Sequence, residues 1–130
     1  MPSWKLAYHA NCWGPLGGDA VGVTSITRLA YRTFADMGKA ARDIAAAGYE
    51  GIEVFDGNIL DGEADGFAAM RAILAETKLR LVAVYSGANF IYPDILEEEL
   101  ARIARAAKAA SALDAEHFVV GGGARRFGGA

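Results

Sequence analysis

The sequence predicts an α/β fold in which four parallel strands alternate with three helices. Short, nearly continuous apolar runs recur along the 130 residues, and segments with one narrow, alanine-rich apolar face lie between them. Strands that are apolar throughout are typical of parallel sheets with helices packed on them. The runs also recur at the spacing of a right-handed βαβ unit, roughly 35–40 residues. The predicted order is therefore β-α-β-α-β-α-β.

The first half of the chain holds two of the strands and one helix. The strands are predicted at residues 5–10 and 51–55, and the helix at residues 34–47, where apolar side chains recur with helical spacing. Gly48 then supplies the left-handed conformation that ends a helix. The glycine-rich stretch 11–33 is a loop, and its length favours a functional or mobile role.

The second half repeats the pattern. Turn residues at 56–65 precede a helix at 67–77 and a strand at 79–85. A loop at 86–89 follows this strand, and the last strand lies at 116–120. Each predicted strand except the last is thus followed by a loop or turn and then by a helix.

The third helix is predicted from its capping and its charge pattern. Asp94 and Glu97 have the spacing of a capping box, which makes Asp94 the N-cap. Glutamates fill the first turn and basic residues come later, as the helix dipole favours. The buried stripe of this helix is predicted to consist of Leu96, Leu100, Ile103 and Ala107.

Composition excludes several classes of protein. Hydrophobic residues make up 53% and charged residues 22% of the chain, which rules out disorder. No apolar run approaches the roughly 20 residues needed to span a bilayer, and the N-terminus lacks the pattern of a signal peptide. Thirteen basic against sixteen acidic residues give a net charge of -3, so neither nucleic acid nor a membrane surface is an expected partner.

The chain contains a single cysteine, Cys12, which cannot form an internal disulfide. We therefore expect a cytoplasmic location, with stability derived from packing. Because no catalytic partner for its thiol is evident, Cys12 is expected to be a small buried hydrophobic residue.

Four segments together carry a resemblance to a known family. They are YHANCWG at 8–14, AAGYEGIEVF at 46–55, LVAVYSGANF at 81–90 and AEHFVVGGG at 115–123. They resemble the N-terminal half of the xylose isomerase-like TIM barrels, a superfamily of sugar phosphate isomerases and epimerases. The segment at 46–55 is the most specific, because a helix end, a turn glycine and an inward-facing acid follow one another there. The resemblance covers nearly the whole chain.

The resemblance implies a (βα)3β half of a TIM barrel, with four parallel strands and with helices on the outer face. Residues 1–130 are then a single partial domain, since a complete barrel has eight strands and typically about 250 residues. We expect a piece of a longer enzyme, although half-barrels that pair are the alternative. An open sheet exposes two edges and an apolar face, so a homo-oligomer or a complementary half-barrel is expected in either case.

The resemblance also implies a reaction, a proton transfer at a carbon next to a carbonyl in a small-molecule sugar or sugar phosphate. In the family a divalent metal (Mn, Mg or Co) polarises the substrate oxygens, and two carboxylates act as acid and base. The family's metal ligands lie in the second half of the barrel, so this chain is expected to carry none and to be inactive alone. Alternatives are a polyol dehydratase on the same scaffold and a non-catalytic half-barrel that associates with itself. The DNA-repair endonuclease branch is disfavoured by the net charge.

Six residues near the strand ends are predicted to contact the substrate. Glu53 alternates with two apolar neighbours and is expected to point into the barrel, although a structural hydrogen-bonding role is the alternative. Trp13 is expected to stack on the sugar or, equally, to anchor the loop after the first strand. The full set is His9, Trp13, Glu53, Ser86, Asn89 and Phe90.

The remaining polar features favour structural roles. Asn89 is favoured as a turn residue over a ligand contact. The glycines at 121–123, with Arg125 and Arg126, form only a weak candidate anion site and are favoured as a flexible tail. His117 begins its strand and is expected to be structural.

Two helix ends depart from the pattern of the family. Lys78 and Asp114 stand where similar sequences usually carry the glycine that ends a helix. A residue other than glycine in the left-handed conformation costs roughly 1–2 kcal/mol, and less for aspartate than for lysine.

Overall fold

The computed structural model describes residues 4–17 and 30–122. Its elements in chain order are β1 (Ala7–His9), β2 (Leu16–Gly17), β3 (Arg32–Thr33), α1 (Met37–Ala46), β4 (Gly51–Phe55), α2 (Ala68–Thr77), β5 (Arg80–Ala88), α3 (Leu96–Ala112) and β6 (His117–Gly122). Strands β1, β4, β5 and β6 form one parallel sheet in that order. The predicted alternation of strands and helices is confirmed. The long loop adds a short antiparallel pair of β2 with β3.

In the described residues, helices cover one face of the sheet and leave the other face without them. Ile52 and Val54 of β4 are each 1% exposed and belong to the same apolar core as the buried alanines of α1 and α3. Residues that alternate with them point to the opposite face. Glu53 therefore lies on the inner face of the sheet, in register with His9 of β1.

The helix ends follow local rules that the sequence shows. Asp36 caps α1, and its carboxylate accepts a hydrogen bond from the backbone N–H of Lys39 at 3.0 Å. Gly48 follows α1 with a φ of 89°. Lys78 and Asp114, the two replacements of the family's glycine, have φ values of 61° and 57°. Both therefore adopt the strained left-handed conformation expected from the resemblance to the family.

The predicted capping box of the third helix is wrong. Pro93–Ile95 form a turn of 3-10 helix, and α3 begins at Leu96 without a side-chain cap. Proline favours the first turn of a helix, so helical backbone begins before Asp94. Asp94 lies inside this turn and cannot take the extended backbone conformation that an N-cap requires.

The predicted buried stripe of α3 is also wrong. Leu100, which the stripe included, is 53% exposed, whereas Glu99 and Arg102 are 0% and 3% exposed. The buried face is rotated by about one residue, which is about 100° around a helix. Glu99 and Arg102 form an ion pair on this face. The rest of the face consists of small alanines that allow close approach to the sheet, namely Ala106, Ala109 and Ala110.

Two further local predictions, the loop at 86–89 and the burial of Cys12, need correction. The loop predicted at 86–89 is wrong for its first three residues, because β5 continues to Ala88 and pairs with β6 there. Cys12 is exposed rather than buried, and its Sγ lies 3.8 Å from the Tyr8 hydroxyl. Within residues 4–17 and 30–122, no helix has both the length and the apolar character needed to cross a bilayer.

Candidate functional site

A cavity of about 640 Å³ opens at the carboxyl ends of the strands. Three adjacent strands place a ring in its wall, because His9, Phe55 and Tyr85 are the last or nearly last inward-facing residues of β1, β4 and β5. The hairpin of β2 with β3 supplies another side through Leu16, Gly17 and Tyr31, and the rest of the lining is Gly87, Ala88, Asn89 and Gly122.

Aromatic rings form most of this wall. The ring centroids of His9 and Phe55 are 4.5 Å apart, and those of Phe55 and Tyr85 are 5.7 Å apart in an edge-to-face arrangement. The Tyr31 ring lies 6.4 Å from Phe55. Glycine is required at position 121, because a Cβ there would overlap the Tyr85 hydroxyl. The sheet is therefore shaped to receive these rings.

His9 and Glu53 form the polar part of the inner face. The Nδ1 atom of His9 lies 3.9 Å from an oxygen of Glu53, which sits beneath the cavity rather than in its wall. Burial lowers the pKa of His9, although the Glu53 carboxylate opposes this shift. Among the described residues, the buried Nε2 atom of His9 has no hydrogen-bond partner. His9 thus places an imidazole in the cavity wall whose Nε2 atom is buried and has no partner among the described residues.

Behind the cavity, on the helix side of β5, lies a buried polar network. Arg102 of α3 donates to Asp56 at 3.1 Å, to Ser86 at 3.2 Å and to Glu99 at 2.7 Å. It also donates to the carbonyl oxygen of Gly87. The Ser86 hydroxyl in turn donates at 2.5 Å to Oδ2 of Asp56, the same oxygen that accepts from Arg102. This network connects the end of β4, strand β5 and helix α3.

Asp56 extends the network to the hairpin that covers the cavity. Its carboxylate accepts hydrogen bonds from the backbone N–H groups of Tyr31 at 3.1 Å and Gly57 at 2.8 Å. Burial raises the pKa of Asp56, while the hydrogen bond from Ser86 and the charge of Arg102 oppose this shift. The network therefore holds the backbone of Tyr31, and through it one wall of the cavity.

Asn58 fixes the neighbouring strand in the same way. Its side-chain oxygen accepts from the backbone N–H of Thr33 at 3.0 Å, and its nitrogen donates to the Thr33 carbonyl at 2.9 Å. The hydroxyl of Thr33 donates to the Ala10 carbonyl, which follows β1. The turn after β4 thus positions strand β3 at the carboxyl ends of the parallel strands.

The structure brings together three of the six predicted substrate contacts. His9 and Asn89 line the cavity, and Glu53 lies beside His9. Asn89 also donates to Glu99 at 3.3 Å, which joins it to the network behind the cavity. The predicted contact of these residues with a substrate stays a prediction.

The other three predicted contacts lie elsewhere. Trp13 donates its ring N–H to Asp43 of α1 at 2.8 Å, which fits the alternative that it anchors the loop. The hydroxyl of Ser86 is fully buried in the network, away from the cavity. Phe90 is 43% exposed and is not part of the cavity wall. None of these three side chains lines the cavity.

Sequence reasoning missed several residues of the site. Phe55 has the alternation that places Glu53 on the inner face, so the same rule applied two residues further would have found it. Tyr85 ends a predicted strand and was detectable in the same way. Tyr31 and Arg102 gave no local signal, because only tertiary contacts bring them to this place.

A metal site is not formed by the residues that the structure describes. In residues 4–17 and 30–122, no group of three or more His, Cys, Asp or Glu side chains is arranged to hold an ion. The divalent metal that the family implies therefore does not fit this part of the chain, and we derive no chemical step through it. The predicted anion site falls partly outside the described residues, because Gly123, Arg125 and Arg126 are not among them.

A comparison with known protein families agrees with the topology of the sheet. A model of the xylose isomerase-like TIM barrel family matches residues 41–129, which is more than half of the chain. Searches of the curated proteins and of the solved structures gave no match. The family match confirms the resemblance, and the four parallel strands with helices on one face fit part of such a barrel. The chain belongs to the xylose isomerase-like TIM barrel family.

Proposed function

We propose that the cavity binds a small polyhydroxylated ligand of the sugar type and forms one wall of an isomerase or epimerase site. The observation that carries this proposal is the meeting of three aromatic rings and an unpartnered His9 nitrogen at the carboxyl ends of parallel strands. In TIM barrels this edge of the sheet holds the active site. An apolar wall with a few convergent polar groups is also typical of ligand sites.

The chemistry of the wall suits a sugar. A sugar ring has an apolar face, which packs on aromatic rings such as Phe55 and Tyr85. Its hydroxyl groups need donors and acceptors, which the imidazole of His9 and the amide of Asn89 provide. The carboxylate of Glu53 is an acceptor for a hydroxyl that reaches past His9.

Family membership supports the proposed reaction class. A proton transfer next to a carbonyl is the chemistry that isomerases and epimerases of this type perform, and it needs the substrate to be held in one orientation. In this proposal the described residues bind and orient the ligand, and the acid, the base and the metal belong to parts of the site that they do not form.

The two histidines of the chain allow a controlled binding test. His9 lines the cavity, whereas His117 is exposed at the start of β6, at the opposite edge of the sheet. We expect the 130-residue chain to bind one or more of D-fructose, D-xylose and myo-inositol, as followed by saturation-transfer and chemical-shift NMR. His9→Gln should weaken this binding by about tenfold, the value of one ligand hydrogen bond.

His117→Gln is the matched control and should bind as the unmodified chain does. Absence of binding by all three compounds would contradict the proposed function. An equal loss in the two variants would remove the cavity from the proposal, because His117 is not part of the cavity wall and lies three strands away from His9 across the sheet.

A further inference from the structure

We infer that the ligand of this cavity is an uncharged sugar or polyol and that phosphate esters of the same compounds are excluded. This inference rests on the proposed function and adds the charge of the ligand to it. It follows from the charges that surround the cavity in the described residues and from the backbone conformation of its glycines.

Among the described residues, the cavity wall contains no side chain with a formal positive charge. Its described lining consists of aromatic rings, aliphatic side chains, glycines, one histidine and one asparagine. A phosphate monoester carries up to two negative charges, and such a group is costly to bury unless cations or several N–H donors surround it. Burial also lowers the pKa of His9, so this imidazole does not supply the missing charge at neutral pH.

The cation of the buried network, Arg102, is already paired with protein groups. Arg102 is 3% exposed and is held by the carboxylates of Asp56 and Glu99 and by the carbonyl of Gly87. The Glu53 carboxylate adds further negative charge beneath the cavity. An incoming anion would therefore meet repulsion rather than a free arginine.

The backbone offers no anion cradle in its place. Anion-binding nests form where successive N–H groups converge in alternating right-handed and left-handed conformations. Gly87 and Gly122 of the wall belong to paired strands, and the described glycines with positive φ are Gly48 and Gly66, which lie elsewhere. The glycines of the wall therefore provide space for ligand and rings rather than charge recognition.

A comparison of a sugar with its ester tests the inference. The 130-residue chain is titrated by NMR with D-fructose, with its phosphate monoester and with inorganic phosphate. We expect the ester to bind at least roughly tenfold more weakly than the free sugar, and inorganic phosphate not to compete. Equal or tighter binding of the ester would overturn the inference while leaving the proposed function in place.

The same titration separates the two proposals. If neither the free sugar nor its ester binds, the proposed function fails and this inference fails with it. Arg28, Arg125 and Arg126 lie outside the described residues. A cation supplied by them would appear in this experiment as tight binding of the ester.

A charge added to the cavity rim tests whether charge, rather than size, excludes the ester. Leu16 lines the cavity and Leu100 lies on α3, and each is 53% exposed, so neither position is part of a tightly packed core. We expect Leu16→Lys to tighten binding of the ester relative to binding of the free sugar by about threefold or more. Leu100→Lys is the matched control and should change neither affinity.

The increase in affinity of Leu16→Lys for the ester should become smaller as salt is added, because exposed charges are screened. An unchanged affinity of Leu16→Lys for the ester would contradict the inference, since the excluded property would then be the size of the ester. A thermal unfolding curve for each variant checks that the fold is retained.

Discussion

At the scale of single residues, Arg102 shows how this chain tolerates charge in its interior. Burying a guanidinium is costly unless its N–H groups have hydrogen-bond acceptors and its charge is paired. Arg102 is nearly inaccessible and has carboxylate, hydroxyl and carbonyl partners, although its Nε atom has none among the described residues. Its two carboxylate partners, Asp56 and Glu99, are themselves fully buried. Arg102 is therefore the cation that pairs with both of these buried carboxylates.

Removing Arg102 should be far more damaging than removing an exposed arginine of the same helix. We expect Arg102→Ala to lower the free energy of unfolding by about 3–5 kcal/mol, because two buried carboxylates lose their partner. Arg105→Ala breaks the pair with Glu63 at 2.6 Å, in which both side chains are more than two-fifths exposed. The expected loss there is roughly 0–1 kcal/mol. Urea denaturation of the two variants measures both, and similar losses would contradict the role given to the network.

His9 should make the stability of the fold depend on pH. Burial lowers the pKa of His9 below its ordinary value of 6.5. Between the lowered pKa and 6.5, the unfolded chain binds more protons than the folded one, so the free energy of unfolding rises with pH through this window. This contribution is complete above 6.5 and is lost on acidification.

His9→Gln should remove this part of the pH dependence. The measurement is the free energy of unfolding of the unmodified chain and of the variant, at neutral pH and about one pH unit below the ordinary pKa of histidine. His117→Gln, the control, should keep the part that His9 contributes. An unchanged slope in His9→Gln would show that the pKa of His9 is the same in the folded and unfolded chain.

At the scale of elements, α3 shows that periodicity locates a helix more reliably than it orients one. Two stripes with helical spacing run along this segment, one with Leu100 and Ile103 and one with Glu99 and Arg102. Hydropathy alone favours the first stripe. The second is buried because its charges are paired with each other and with Asp56, a residue that is distant in sequence.

The helix ends give a prediction at the same scale. Lys78 is exposed and left-handed, with a φ of 61°. Lys78→Gly should raise the free energy of unfolding by about 1 kcal/mol, since glycine adopts this conformation without strain but loses more freedom on folding. Thermal or urea unfolding measures the change.

Asp114→Gly provides the comparison. Asp114 has a similar φ of 57°, but aspartate tolerates the left-handed region better than lysine does. Asp114→Gly should therefore raise the free energy of unfolding by less than Lys78→Gly does. A loss of stability in Lys78→Gly would mean that the lysine side chain has a favourable contact that outweighs the backbone strain.

At the scale of the whole molecule, the helices that the structure describes cover one face of the sheet only. In the described part of the chain, β1 and β6 each pair with a single neighbour. Val119 and Val120 of β6 are 38% and 42% exposed, and Leu6 before β1 is 60% exposed. Unpaired strand edges beside exposed apolar side chains favour association with another chain.

We therefore expect the 130-residue chain to associate, either with itself or with a complementary half-barrel. Size-exclusion chromatography with light scattering should show a dimer or larger species whose mass rises with concentration. Val119→Lys, on the inner face of β6, should shift the chain toward the monomer because it places a charge on that surface. A stable monomer across the accessible concentration range would contradict this expectation.

The sequence by itself determined the features that depend on near neighbours along the chain. The order of strands and helices and the inward side of Glu53 follow from local periodicity. The left-handed ends at Lys78 and Asp114 were expected from the resemblance, because similar sequences usually carry glycine there. Each needs information from only a few adjacent residues. The match of residues 41–129 to the family agrees with this local pattern.

Only the tertiary structure decided which side chains meet. Tyr31 reaches the cavity because Asp56, twenty-five positions away, accepts its backbone N–H. Arg102 is buried because Asp56 and Glu99 neutralise it, although hydropathy alone places it in solvent. The free energy of burying a charge or a ring depends on partners that are close in space and far apart in sequence, so no local pattern in the chain could reveal it.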